Sequence, residues 1–371
     1  MVDTSRRHFL GALGTGLVLS RSGTVPARQG DLDSGFPVKP DELELRFHRG
    51  AGELRISFAH FEGSTAEWKK ACHEKLAELL GLSPPTPRPV RRLRSIEHDG
   101  TTIEAWVMEI DSDLTLPAYL LTPKTVTRSP VMALQGHGKP EPPIGLNDDY
   151  HHKFALELAK NGHLVLCPTS RGFSSLGDLA YGDDNHTLDY WVSSRGRQFT
   201  LVTDAFLHGK TLVGETTEDL LRWEHWLSET KGVTSLDVAG ISYGGDVAFT
   251  YPAFSQRVNR IYSSGSLGSF SAIFSLCYNA PAHAIPGVLK WMDRSDIAGL
   301  NAPRPQRFHY GELDTPGPDN NSASYNETVE PSLAELRSIY RAFGAEEKVS
   351  LKVTKGSHHE MDIADLKAFL A

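Results

Sequence analysis

Cysteine is scarce in this sequence. Cys72, Cys167 and Cys277 are spread over 371 positions. An odd, sparse set builds no disulfide framework, and no pair has the spacing of zinc ligands. Each therefore reads as a small buried apolar side chain. A basic stripe is also missing, and the formal net charge is −8, so nucleic acid is not an expected partner. Internal repeats and low-complexity tracts are absent; the 33 glycines and 22 prolines are dispersed. No apolar run is long enough to be a good membrane span, and the one between Phe9 and Leu19 is short and rich in glycine. What remains is ordinary globular composition, 39% hydrophobic and 23% charged, with enough chain to bury a large core.

The first residues differ from the rest. Arg6 and Arg7 precede the apolar run, and Val25-Pro26-Ala27 resembles a signal-peptidase site. A charged start, a short apolar stretch and a small-residue exit form a secretory signal. Ser5-Arg6-Arg7-His8-Phe9-Leu10 further resembles the twin-arginine export signal, an address read by a receptor. Residues 1–27 are thus expected to be an export signal, 28–63 a linker and N-terminal extension, and 64–371 the main domain. The mature protein is expected in the periplasm or outside the cell, without membrane association once the signal is cleaved.

Hydrophobic periodicity predicts a helix over 64–82 and strands at "IEAWVMEI" and "LPAYLLTP". From residue 131 onward strands and helices alternate. "VMALQGHG", "HLVLCPTSRG", "LDVAGIS", "VNRIYSSGS", "QRFHYGELD" and "KVSLKVTKGSHH" read as strands; "YHHKFALELAKNG", "TTEDLLRWEHWLSE", "GGDVAFTYPAF" and "VEPSLAELRSIYRAFGA" read as helices. This order implies an α/β fold with a mostly parallel central sheet and helices on both faces. Working groups in such sheets gather at the carboxyl ends of the strands.

Several chemistry-bearing residues fall at those ends. Gly240-Ile241-Ser242-Tyr243-Gly244 fits the G-x-S-x-G nucleophile elbow, which holds a serine exposed where a strand turns into a helix. The Tyr243 N–H, at the start of that helix, can donate to an oxyanion. A serine needs a base and an orienting acid, in the chain order serine, acid, histidine for this architecture. Asp314 follows one late strand, with Glu312 as its competitor. "VTKGSHHEMD" ends the last strand and offers His358 and His359, of which only one can face the site from a strand end. "LQGHGKP" ends an earlier strand and supplies a second oxyanion N–H, at Gly138 or Lys139. His137 precedes the serine and is expected to be structural. His151-His152 and His358-His359 lack a further ligand at metal spacing, so no metal is expected.

Together these segments resemble the dienelactone-hydrolase-like and acetyl-xylan-esterase-like branch of the α/β-hydrolase superfamily, over nearly everything after residue 64. "AWVMEIDSDLTLPAYLLTP" is similar to the family's lead-in strands, "GHG" to its oxyanion loop, and "RGF" at 171–173 to its Arg-Gly turn. "GKTLVGETTEDLLRWEHWL" resembles the segment before the elbow, and the runs ending in "HYGELD" and "TKGSHH" resemble the approaches to acid and base. The family's Gly-Gly-His at the base aligns with Gly356-Ser357-His358, which makes His358 the expected base and His359 its neighbour. The sequence departs from the family at "CPTSRGF", at "GKPEPP" and across the polar, aromatic-rich segment 177–199.

The resemblance implies a serine carboxylesterase that needs no cofactor and hydrolyses small-acyl esters, acetyl above all, on a small molecule or polysaccharide. Its catalytic residues would be Ser242, Asp314 and His358, with Tyr243 and Gly138 or Lys139 as oxyanion donors. A lactone hydrolase or peptidase of the same fold, or a non-catalytic envelope binding protein on this scaffold, are the alternatives. The complete set of Ser, Asp and His in order argues against the last.

Overall fold

Consecutive residues of a strand point to opposite faces of its sheet, and in the central strands here both faces are apolar. Met132 and Leu134 enter one core while Val131 and Ala133 enter the other; Leu166 and Cys167 divide in the same way, as do Val238 and Ala239. Such strands read as continuous apolar runs because helices cover both sides of a parallel sheet.

The computed structural model describes residues 52–112, 114–171, 194–275, 281–314 and 328–371. All of these fall within one compact unit, Leu43–Ala371. The expected export signal at 1–27, Cys277 and residues 177–193 of the polar, aromatic-rich segment lie outside the described residues.

The described elements run in the order α1 (Thr65–Leu80), β1 (Val90–His98), β2 (Thr101–Glu109), β3 (Thr115–Pro123), β4 (Val131–Leu134), α2 (Phe154–Lys160), β5 (Val165–Pro168), α3 (Ser194–Leu207) and α4 (Leu212–Lys231). They continue with β6 (Leu236–Ile241), α5 (Tyr243–Thr250), β7 (Val258–Ser264), α6 (Phe270–Ser275), α7 (Arg294–Gly299), β8 (Gln306–Gly311), α8 (Val329–Ala342), β9 (Val349–Thr354) and α9 (Ile363–Phe369). Among the described residues they form one nine-stranded sheet of order β1-β2-β3-β5-β4-β6-β7-β8-β9. The first three strands pair antiparallel and β3 pairs antiparallel with β5. From β5 to β9 every pairing is parallel. The carboxyl ends of β4 to β9 therefore share one edge, and the loops after them form the site. Among the described residues no helix is long and apolar enough to cross a membrane.

α2 and α9 cover one face through Phe154, Ala155, Leu158 and Leu366. α1, α4, α5 and α8 cover the other through Trp68, Leu76, Trp223, Phe249, Leu333 and Leu336. Each Leu or Phe among them, fully buried, contributes about 1.5–3 kcal/mol of transfer free energy. α1 begins with a capping box, Ser64 Oγ accepting from Glu67 N and Glu67 Oε2 accepting from Ser64 N, and ends at Gly81 in the left-handed region. The end of the expected linker is packed onto this domain, because Leu54, Arg55 and Ile56 N–H groups donate to the carbonyls of Leu289, Lys290 and Trp291. Cys72 and Cys167 are wholly buried, and burial pushes the Cys167 thiol up to about 12.

Candidate active site

The β6–α5 corner is strained. Ser242 sits at φ 58° and ψ −123° between the last strand residue, Ile241, and the first helix residue, Tyr243. A non-glycine residue held there costs about 1–3 kcal/mol and persists only where the surroundings over-determine it. Close packing does so here. A Cβ on Gly240 would overlap the Gly244 carbonyl, and one on Gly244 would overlap the Leu134 carbonyl of β4. Ser242 N donates to Ser264 O at the end of β7 (2.9 Å).

α5 is anchored beneath the corner. Asp246 accepts from the two terminal guanidinium nitrogens of Arg294 and pairs with His283. Burial alone would raise this carboxyl, but Arg294 and His283 outweigh it and hold it below the usual range. Arg294 also donates to Ser266 O, tying α7 to the loop after β7. Arg171, just after β5, also braces the site: it grips Asp219 of α4 with two bonds, of 2.7 and 3.0 Å, and reaches Glu215 at 3.2 Å.

An acid and a histidine meet above the same edge. Asp314 lies in the turn after β8, 2% exposed, and its Oδ2 is 2.8 Å from Nδ1 of His359. The His359 ring rests on Gly265, the residue next to the carbonyl that receives Ser242 N–H. Tyr150 flanks the ring at 5.6 Å between centroids.

This corrects the expectation drawn from Gly356-Ser357-His358. His358 is exposed, and the histidine facing Asp314 is His359. β9 ends at Thr354, so the alternation of a strand no longer sets side-chain direction at 358 and 359. Loop hydrogen bonds set it instead. Glu312 N donates to Thr354 O and Leu313 N to Ser357 O. Glu360 folds back to accept from Ser357 Oγ (2.6 Å) and His358 N (3.3 Å), and its other oxygen meets His152 Nε2 (2.8 Å). These bonds hold the Glu360 carboxyl at about 2, the Ser357 hydroxyl and then His152 contributing most. Glu312, the competitor for the acid, is exposed and accepts from Gly356 N (2.9 Å), so it braces the loop.

The loop after β4 closes the third side. Gly136 is its residue against the serine: a Cβ there would lie 2.9 Å from Ser242 Cβ. Its N–H donates to His151 Nε2 (2.9 Å), His151 Nδ1 meets Asp149 Oδ1 (2.7 Å), and Tyr150 OH donates to His137 O (2.6 Å). Of the expected oxyanion donors, Tyr243 adjoins the serine in the chain, while Gly138 and Lys139 lie on the exposed turn beyond Gly136. The His137 ring packs inward, 6.2 Å from Tyr243 and 5.9 Å from His283. Sequence reasoning placed Gly136 in the oxyanion loop but missed Asp149 and Tyr150, and weighed His151 only as a metal ligand; the signal available was a polar cluster, Asp-Tyr-His-His, just ahead of a helix. Among the described residues no three His, Cys, Asp or Glu side chains gather where they could hold a metal ion.

No protein-family model and no curated protein matches this sequence. Solved structures do match. A Bacteroides fragilis protein assigned as an acetyl xylan esterase superimposes with a TM-score of 0.65 at 16% identity, over 85% of this chain and 83% of the other. A glucuronoyl esterase from Solibacter usitatus matches with a TM-score of 0.54 at 14% identity, over 82% and 91%. A glucuronoyl esterase from Teredinibacter turnerae matches with a TM-score of 0.55 at 14% identity, over 92% and 93%. At these identities the likeness speaks to architecture, and together with the sheet order and the strand–serine–helix corner it gives the chain the α/β-hydrolase fold.

Proposed function

We propose that this chain is a serine carboxylesterase acting on carbohydrate esters. The observation that carries the reading is Ser242, held in a strained left-handed backbone at the strand–helix corner, on the sheet edge where Asp314 and His359 pair. His359 Nε2 takes the Ser242 proton as the hydroxyl attacks the ester carbonyl. Asp314 fixes the Nδ1–H tautomer and stabilises the imidazolium. The Tyr243 N–H and the backbone of the loop after β4 receive the negative charge on the carbonyl oxygen. His359 then returns the proton to the departing alcohol. Water attacks the acyl-enzyme by the same route in reverse and frees the acid, so no cofactor enters.

The names carried by structures of like fold support a carbohydrate ester as substrate, with acetyl groups on a polysaccharide as the leading class. Arg6-Arg7 before a short apolar run supports twin-arginine export with removal of about the first 27 residues, which would place the enzyme where polysaccharide lies. The test is a panel of acyl-nitrophenyl esters of increasing chain length, acetylated xylan and a glucuronoyl ester, run with wild type and Ser242→Ala. Fastest turnover on acetyl substrates, lost in the variant, supports the reading. Turnover that survives in the variant, or none on any ester, rejects it.

A further inference from the structure

A second His–Asp pair stands beside the first. His151 is wholly buried, so it has no access to substrate. Its Nε2 lies 2.9 Å from the N–H of Gly136 and its Nδ1 2.7 Å from Asp149 Oδ1. An amide N–H only donates, so Nε2 must present its lone pair, and the ring proton must sit on Nδ1 and point at Asp149. The carboxylate therefore fixes the tautomer, as Asp314 does for His359. Here the free lone pair is committed to a backbone amide of the loop that covers Ser242.

We propose that Asp149 and His151 are a positioning pair that holds the loop after β4 in its oxyanion-binding geometry, so that catalysis requires His151 to be neutral. The inference rests on the esterase reading. Its reach comes from where the bracket 149–151 is tied. Gly136 is packed against the Ser242 Cβ, and Tyr150 OH holds the next carbonyl, His137 O, at 2.6 Å. Tyr150 O in turn accepts from Met361 N, two residues past His359 (2.9 Å). One short segment thus sets the spacing between the oxyanion loop and the loop of the base. A second proton on His151 would turn Nε2 into a donor facing another donor, and the bond to Gly136 would be lost.

The charged and titratable groups around this ring are Asp149, His359 and His152, with the Tyr150 phenol ring 4.1 Å away between centroids. Burial lowers the affinity of His151 for a proton, the charges of His359 and His152 act in the same direction, and Asp149 opposes them. His151 stays neutral through the working range and charges in acid. Below that point His151 must lose its proton before the loop can bind the oxyanion.

The experiment compares wild type, His151→Gln, His151→Leu and Ser242→Ala on nitrophenyl acetate, with circular dichroism as the folding check. The glutamine carbonyl can accept from Gly136 N–H and does not titrate. His151→Leu should lower kcat by on the order of 10²-fold with KM little changed, since the donor geometry, not binding, is lost. His151→Gln should recover to within about tenfold of wild type. In acid kcat/KM should fall with one more proton in wild type than in His151→Gln. Amide exchange at Gly136 gives a readout independent of activity: protection at neutral pH, lost in acid and in His151→Leu. Equal kcat in folded His151→Leu and wild type, or an unprotected Gly136 amide in wild type, overturns the proposal. If His151→Leu does not fold, an acid limb in His151→Gln identical to that of wild type overturns it. Absence of Ser242-dependent hydrolysis would instead reject the esterase reading, with Gly136 protection still deciding whether the pair holds the loop.

Discussion

Replacing Gly265 with alanine should disarm the site without replacing a catalytic residue. A Cβ at this position would stand 2.6 Å from His359 Cε1 and 2.8 Å from Nδ1. Carbon atoms rest about 3.5–4.0 Å apart, so the ring must retreat by about 1 Å. A displacement of about 1 Å at a reacting group costs on the order of 10²-fold in rate, or about 2.7 kcal/mol of transition-state stabilisation. The backbone adds a separate effect, because Gly265 sits at φ 59° and an alanine there loses about 1–2 kcal/mol of stability. Gly100→Ala separates the two. Gly100 has φ 77°, lies in the turn between β1 and β2, and has open space where its Cβ would be. Both variants should melt earlier by similar amounts, and only Gly265→Ala should lose kcat on nitrophenyl acetate. If folded Gly265→Ala keeps kcat within about threefold of wild type, less than 1 kcal/mol, the His359 ring is not where the reaction needs it.

His359→Ala should abolish turnover, whereas His358→Ala should cost about tenfold at most, through its place in the loop; kcat/KM for both on one ester decides between them. Asp314→Asn should keep the fold and lower kcat by on the order of 10⁴-fold, because the amide no longer fixes the tautomer of His359; steady-state kinetics beside a thermal melt measures both. Glu360, lowered from 4.5 to about 2, contributes stability that is complete above pH 4.5 and drains away as pH falls towards 2. Glu360→Gln should therefore flatten the decline in melting temperature over that interval and loosen the loop that carries His359.

The parallel half of the fold was legible because its strands are unbroken apolar runs separated by amphipathic helices, and each predicted strand from 131 onward has its counterpart. β1 escaped prediction for a physical reason. It is an edge strand, exposed along almost its whole length, and Arg91, Arg92 and Arg94 leave no period-two pattern to read. Gly240, Ser242 and Gly244 announce the corner because only small residues fit where the strand and helix cross. The histidine paired with Asp314 lies one position beyond the expected one, because two adjacent histidines beyond a strand end differ only in how the loop turns. That turn is set by Glu360, Glu312 and the Ser357 carbonyl, none of which marks itself in the sequence. Asp149 and His151 were invisible as a pair for the same reason: what makes them one is the amide of Gly136, fifteen residues from His151.

Trapping the acyl-enzyme tests the central claim most directly. Wild type mixed with nitrophenyl acetate, quenched in acid during the burst and examined by intact and peptide mass spectrometry, should carry one acetyl group, located on Ser242. His359→Ala should form this adduct far more slowly, and Ser242→Ala should not form it. An acetyl group that maps elsewhere, or full turnover by Ser242→Ala with no adduct on either protein, would contradict the account.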